Sequence, residues 1–390
     1  MTRTEPLHEP SADRAHDLAL DGLRGLAVLL VFLFHYGGGL KSPHLIGRLF
    51  GQFSAAGWVG VELFFVLSAF LITGILWDCI HDPHAHHRLR NFYARRILRI
   101  FPLYYATLAA CAVVMLAMGH NLQEVRGLYL YVFFLQDLPK LATAAQQVPT
   151  LPLYHFWSLA VEEQFYILWP FLLFAFRTRQ ATIRLCLATF FVSVAFCVTI
   201  FGMRHTFSGQ TAHDLSGFLV THMGAFALGA LAAILLREPF HFNLAPYART
   251  AFFAGVALFA FSSWLCHSFT LTPRLQFCMG LPAVWLASAA TIPLVLHPGL
   301  PRRLCSLAPL RFLGRISYGF YVFHLLLQGL FDTIGSHVTH TDSGSYYQFI
   351  RLVAGFPITL AVSWVSFQLF EFPFLKLKRF FPMRSTIPTA

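Results

Sequence analysis

The sequence predicts an all-α polytopic membrane protein with about ten transmembrane helices plus a short re-entrant or interfacial segment. Composition gives the class: 57% of the 390 residues are hydrophobic and 12% charged, and mean hydropathy is +0.61, beyond what a soluble domain of this length sustains. Apolar stretches of about 20 residues, enough to cross about 30 Å of hydrocarbon, recur along the chain. Basic residues gather in alternate connections between them, as topology requires.

Spans are expected near residues 20–38, 57–78, 100–118, 155–176, 182–201, 216–236, 250–270, 277–297, 312–333 and 347–370. The run Gly127-Leu-Tyr-Leu-Tyr-Val-Phe-Phe-Leu135 is too short to cross, and is the re-entrant or interfacial piece. With the N-terminus inside, the cytoplasmic side holds all but seven of the 28 Lys and Arg; the seven are Lys41, Arg48, Arg126, Lys140, Arg204, Arg274 and Arg351. That asymmetry puts both ends in the cytoplasm, with tails at 1–19 and 374–390 flanking one membrane domain at 20–373. No small-residue cleavage site follows the first apolar stretch, so it reads as an uncleaved signal anchor. No internal repeat or appended soluble domain is expected. The net charge of +11 is absorbed by topology, and no nucleic-acid partner is expected. Seven cysteines without a CxxC pair, mostly in or beside apolar stretches, read as small core residues.

Ionisable residues inside these stretches are the functional candidates, because such groups are expensive in hydrocarbon. Arg24 and His35 share the first span, nearly on one face and about 16 Å apart along the axis. Counting 1.5 Å per residue places His35 about 8 Å below the outer face, Glu62 about 8 Å, Glu162 about 10 Å and His324 about 12 Å. Any one of these could simply cap a neighbouring helix or bond a serine. Four at a common depth point to a site, and a histidine near a carboxylate suits removing a proton from a hydroxyl. Tyr321 and His324 share a face with Ser317 one turn earlier.

The cytoplasmic segment Arg90-Asn-Phe-Tyr-Ala-Arg95-Arg96-Ile-Leu-Arg99-Ile-Phe-Pro102-Leu-Tyr104 is a second landmark. Arg96 and Arg99, one turn apart, can converge on a phosphate, although topology and lipid headgroups also explain basic residues here. His81-Asp-Pro-His84-Ala-His86-His87 has no partner ligands at defined spacing and is expected to be a solvated loop rather than a metal site.

These residues resemble the membrane acyltransferase 3 family, integral-membrane O-acyltransferases of carbohydrates and macrolides, over nearly the whole chain. The motifs that carry the resemblance are Arg, ten residues, His at Arg24 and His35; Gly-Val-x-x-Phe-Phe-Val-Leu-Ser-x-Phe at 60–70, where Ala69 replaces the usual Gly; and Arg-x-x-Arg at Arg96 and Arg99. They continue with Trp-Ser-Leu-x-x-Glu-x-Gln-Phe-Tyr from Trp157 to Tyr166, Ser-Tyr-x-x-Tyr-x-x-His from Ser317 to His324, and Glu371-Phe-Pro373.

The resemblance implies a cytoplasmic acyl-CoA donor, usually acetyl-CoA, as co-substrate, no metal, and a hydroxyl of a carbohydrate or glycosylated acceptor. It also implies residence in a bacterial inner membrane. His35 and Glu162 are then the catalytic candidates, His35 as general base or as carrier of the acyl group, with Glu162 orienting it or relaying its proton. Arg24, Arg96 and Arg99 are the donor-binding candidates. Glu62, Ser68, Trp157, Tyr166, Tyr321 and His324 are the substrate-binding candidates. The rival reading is a proton-coupled transporter of a glycan or acylated metabolite. It leaves the Arg-x-x-Arg pair unexplained and calls for broken helices or paired half-repeats.

Overall fold

The computed structural model describes residues 17–38, 40, 44–82, 87–119, 121, 125, 127–138, 152–202, 215–237, 244–271 and 274–383. Residues 83–86 of the histidine tract, half of the connection at 119–154, residues 1–16 and residues 384–390 lie outside the described residues. Among the described residues every regular element is helical. The protein is an all-α polytopic membrane protein.

Helix α1, Leu18–Gly37, starts where the Asp17 carboxylate accepts from the Ala19 N–H at 2.9 Å, filling one of the open donors of a helix N-terminus. Helices α2, Leu45–Ala55, and α3, Val59–His81, follow. Helix α4, Arg88–Ala117, begins well before its predicted span at residue 100. The arginine cluster is therefore one rigid piece with that span. The 127–138 segment contains a single short helix, Tyr129–Val132. The chain continues through α5, Trp157–Ala175; α6, Arg179–Gly202; α7, Leu219–Leu235; α8, Ala245–Cys266; and α9, Leu281–Leu296, entered through a π-helical turn at Gln276–Gly280. Three short helices, α10 at Ala308–Arg315, α11 at Ser317–Leu326 and α12 at Gln328–Thr339, lead to α13, Ser345–Ser366.

Seven helical stretches among the described residues, rather than ten, are long and apolar enough to cross a membrane. The three predicted spans that fall short each have a physical reason. Helix α5 is diluted by Glu162, Glu163 and Gln164. Helix α7 has 17 residues, about 26 Å against about 30 Å of hydrocarbon. The predicted span at 312–333 is broken at Ile316 and Leu327 into α10, α11 and α12. Polar side chains on α5, α7 and α11 line the two cavities described below. Burying them within the bundle is what compromises these helices as lipid-facing spans.

Close helix crossings fix the polar residues in place. A Cβ on Gly314 would sit 1.7 Å from the Asp21 carbonyl oxygen, and one on Gly25 would sit 2.0 Å from that of Leu310. Backbone-to-backbone contact between α1 and α10 thus leaves Arg24 a defined direction. Helices α3 and α7 meet as closely, with a Cβ on Gly229 falling 2.2 Å from the Val66 oxygen. At the far end of the same pair, Arg237 Nε donates to Asp78 Oδ1 at 2.7 Å, and Gly74 leaves room for its guanidinium.

Candidate active site

Two cavities meet inside the bundle. The smaller, about 90 Å³, is lined by Arg24 of α1, Ser68 of α3, Arg96 and Arg99 of α4, Glu162 and Tyr166 of α5, and Tyr318 and Tyr321 of α11. One Glu162 oxygen accepts from both Ser68 Oγ and Tyr166 OH, and these hydroxyls lie 3.0 Å apart. Arg24 is held by Asp21 at 2.8 Å, and Arg96 stacks over the Tyr166 ring at 5.5 Å. Among the described residues neither Arg96 nor Arg99 has a carboxylate within salt-bridge distance. Two guanidiniums on one helix turn, without an ion pair among the described residues, have the geometry to grip an anionic oxygen.

The larger cavity, about 420 Å³, is lined by His35, Trp58, Glu62, Gln136, Asp137, His155, Trp157, His222 and Tyr321, among others. Val61 and Tyr321 line both cavities. Tyr321 is fixed there: its hydroxyl donates to the His155 carbonyl at 2.9 Å and lies 2.5 Å from Ser158 Oγ.

Buried Glu62 is committed to the protein rather than free for a ligand. Its Oε1 lies 2.6 Å from His222 Nδ1 and its Oε2 accepts from Trp285 Nε1 at 2.7 Å. The other His222 nitrogen is 2.9 Å from the Ser216 carbonyl. Carboxylate and carbonyl oxygens only accept, so both nitrogens of His222 donate and the ring is an imidazolium. Trp157 packs on that ring at 5.0 Å and 31°, adding cation–π contact.

His35 lies at a cluster of imidazoles. His324 Nδ1 faces the Tyr321 carbonyl at 2.5 Å, and therefore carries the proton. The lone pair on His324 Nε2 then faces His35 Nδ1 at 3.4 Å, and His35 Nδ1 also lies 2.9 Å from the Val31 carbonyl. Both partners accept, so the His35 proton is on Nδ1 and Nε2 keeps its lone pair. His155 packs against His324 from the other side, with ring centroids 5.0 Å apart.

A family profile described as "Acyltransferase domain" matches residues 17–367. The chain belongs to the membrane acyltransferase 3 family. Among similar proteins, "Putative peptidoglycan O-acetyltransferase YrhL" of Bacillus subtilis is 30% identical over 78% of this chain and 47% of its own length. "Peptidoglycan O-acetyltransferase OatA" of Listeria monocytogenes is 26% identical over 92% of this chain and 56% of its own length. The chain spans about half the length of these relatives. No solved structure matches it.

The membrane acyltransferase 3 motifs divide between the cavities. Arg24, Ser68, Arg96, Arg99, Glu162 and Tyr166 gather in the smaller one, and His35, Glu62 and Trp157 in the larger. His35 and Glu162, expected side by side, line different cavities. His324, expected against substrate, lines neither and stands behind His35. Sequence reasoning missed Gln136, Asp137, His155 and His222. His222 carried a usable signal, being the one ionisable residue in the apolar run 219–235. Gln136 and Asp137 carried none, since they sit on a polar connection.

Proposed function

We propose that this protein transfers an acyl group, acetyl in the first instance, from acyl-CoA in the smaller cavity to a carbohydrate hydroxyl in the larger one. The observation that carries the reading is the pair of cavities meeting at Val61 and Tyr321, one ringed by arginines and the other presenting the lone pair of His35. The relatives named as peptidoglycan O-acetyltransferases support an acetyl donor and a glycan acceptor.

On this reading Arg96 and Arg99 hold the anionic head of the donor, and Arg24 guides the donor or steadies the thioester oxygen. His35 Nε2 removes the proton from the sugar hydroxyl as its oxygen attacks the thioester carbon. The C–S bond breaks, and the proton returns from the imidazolium to the departing CoA thiolate. Glu162, bonded to Ser68 and Tyr166, orders the donor side rather than orienting His35 directly. Residues 20–373 act as one unit, in a bacterial cytoplasmic membrane, with both termini and the arginine cluster on the cytoplasmic side.

The test is release of free CoA thiol by the purified protein supplied with acetyl-CoA and a sugar. His35→Ala abolishes release. Transfer retained in that variant overturns His35 as base, and no thiol release by the unaltered protein favours transport instead.

A further inference from the structure

Among the described residues, the larger cavity contains buried polar atoms without a hydrogen-bond partner, and they share one chemistry. Gln136 donates its amide N–H to the Phe156 carbonyl at 2.9 Å and to Tyr104 OH at 3.4 Å. That fixes the orientation of the amide, and its Oε1 has no partner. Asp137 Oδ1 accepts from Gln164 Nε2 at 2.7 Å, while Oδ2 has none. Both side chains are at least nine-tenths buried, at 5% and 1% exposure, and both line the cavity. A third buried atom without a partner, His155 Nε2, belongs to the same wall.

Buried polar atoms left unmatched carry a penalty of about 1 to 3 kcal/mol each, so two adjacent ones beside an empty volume call for an occupant. The Gln136 amide oxygen only accepts, as Asp137 Oδ2 does in the ionised carboxylate, so the occupant that suits both donates. The charge balance narrows it further. Glu62 and His222 cancel each other, which leaves Asp137 as the unbalanced carboxylate of the wall. A hydroxyl-bearing ring fits this surface, and a carboxylate or phosphate on that ring would be repelled by it.

We infer that Gln136 and Asp137 form a hydrogen-bond-accepting subsite that grips hydroxyls of an uncharged sugar and turns away acidic sugars. The inference rests on the reading of this cavity as the sugar side of the reaction.

Calorimetric binding of three trisaccharides to the purified full chain tests it: chitotriose and maltotriose, both neutral, and trigalacturonic acid. The neutral sugars bind at least about tenfold more tightly than the acid, as expected for hydrogen bonds to a charged group. Asp137→Ala weakens neutral binding by a similar factor, and Asp137→Asn shrinks the neutral-over-acidic preference. Acyl-CoA binding to each variant reports that the fold survives. If the alanine variant fails that control, the unaltered protein and the asparagine variant decide. Equal or tighter binding of the acid, neutral binding indifferent to Asp137, or no neutral binding overturns the subsite. Sugar binding without thiol release would instead sink the transferase reading and leave the subsite standing.

Discussion

His324 Nε2 faces His35 Nδ1 at 3.4 Å, and with the Val31 carbonyl at 2.9 Å it fixes which nitrogen of His35 bears the lone pair. The role is usually filled by a carboxylate. Here a neutral imidazole, locked by the Tyr321 carbonyl, shares it with the Val31 backbone carbonyl.

Replacing His324 by Phe therefore lowers kcat by roughly tenfold to a hundredfold, the effect of one hydrogen bond of about 1 to 3 kcal/mol. The KM for acyl-CoA stays unchanged. His324→Gln, whose amide oxygen again accepts, recovers part of the rate. Steady-state kinetics with acetyl-CoA decide it, and a fall in donor affinity equal to the fall in kcat would refute a positioning role.

Arg96 and Arg99 line the smaller cavity, and among the described residues neither has a carboxylate within salt-bridge distance. Arg96→Ala weakens acyl-CoA binding by about tenfold or more, as expected for a charge-assisted bond. Arg96→Lys restores only part, because a point charge replaces a bidentate fork. Equilibrium binding at two salt concentrations checks this, and an unchanged dissociation constant contradicts it.

The Glu62–His222 pair is 1% to 2% exposed. Glu62→Gln leaves a buried imidazolium without its counter-ion and destabilises the protein by about 3 to 5 kcal/mol. Combining Glu62→Gln with His222→Phe removes the stranded charge, so the double variant unfolds at a higher temperature than the sum of the single effects gives. Thermal unfolding in detergent measures both, and strict additivity would show the pair to be uncoupled.

Asp137 lies outside the membrane-spanning helices, and burial pushes its carboxyl up to about 7, against the opposing pull of its own backbone N–H, the Gln164 amide and the nearby His222. Below that pH it is protonated and spends its Oδ2 position as a donor. Neutral-sugar KM therefore falls as pH rises through about 7, a trend absent in Asp137→Asn. The stability effect has the opposite sign. Folding raises this pKa above its usual 3.8, so the folded state holds the proton more tightly and this group erodes stability as pH rises between about 4 and 7. Unfolding midpoints of the two proteins at pH 5 and pH 8 give the sign.

The membrane class, most of the long helices and the residues of both cavities carrying recognisable motifs were legible as charge within apolar windows. Arg24, His35, Glu62 and Glu162 stood out because hydrocarbon makes them expensive. Counting 1.5 Å per residue supplied depth, and depth alone grouped Glu162 with His35. Azimuth and helix neighbours then separated them: Glu162 faces Ser68 and Tyr166, and His35 faces His324. The segment 312–333 read as one span because hydropathy averages over the breaks at Ile316 and Leu327.

By itself the sequence determined that this is a helical membrane protein of the acyltransferase 3 kind, with arginines toward one end and a histidine toward the other. Composition and residue spacing act along one dimension, and these properties are one-dimensional. Tertiary structure decided which groups share a cavity, that Glu62 is neutralised by His222, and that Gln136 and Asp137 turn oxygens without a described partner to the cavity that His35 also lines. Hydrogen bonds and cavities form between residues far apart in the chain, and their energies depend on distances and angles that only the packing of helices sets.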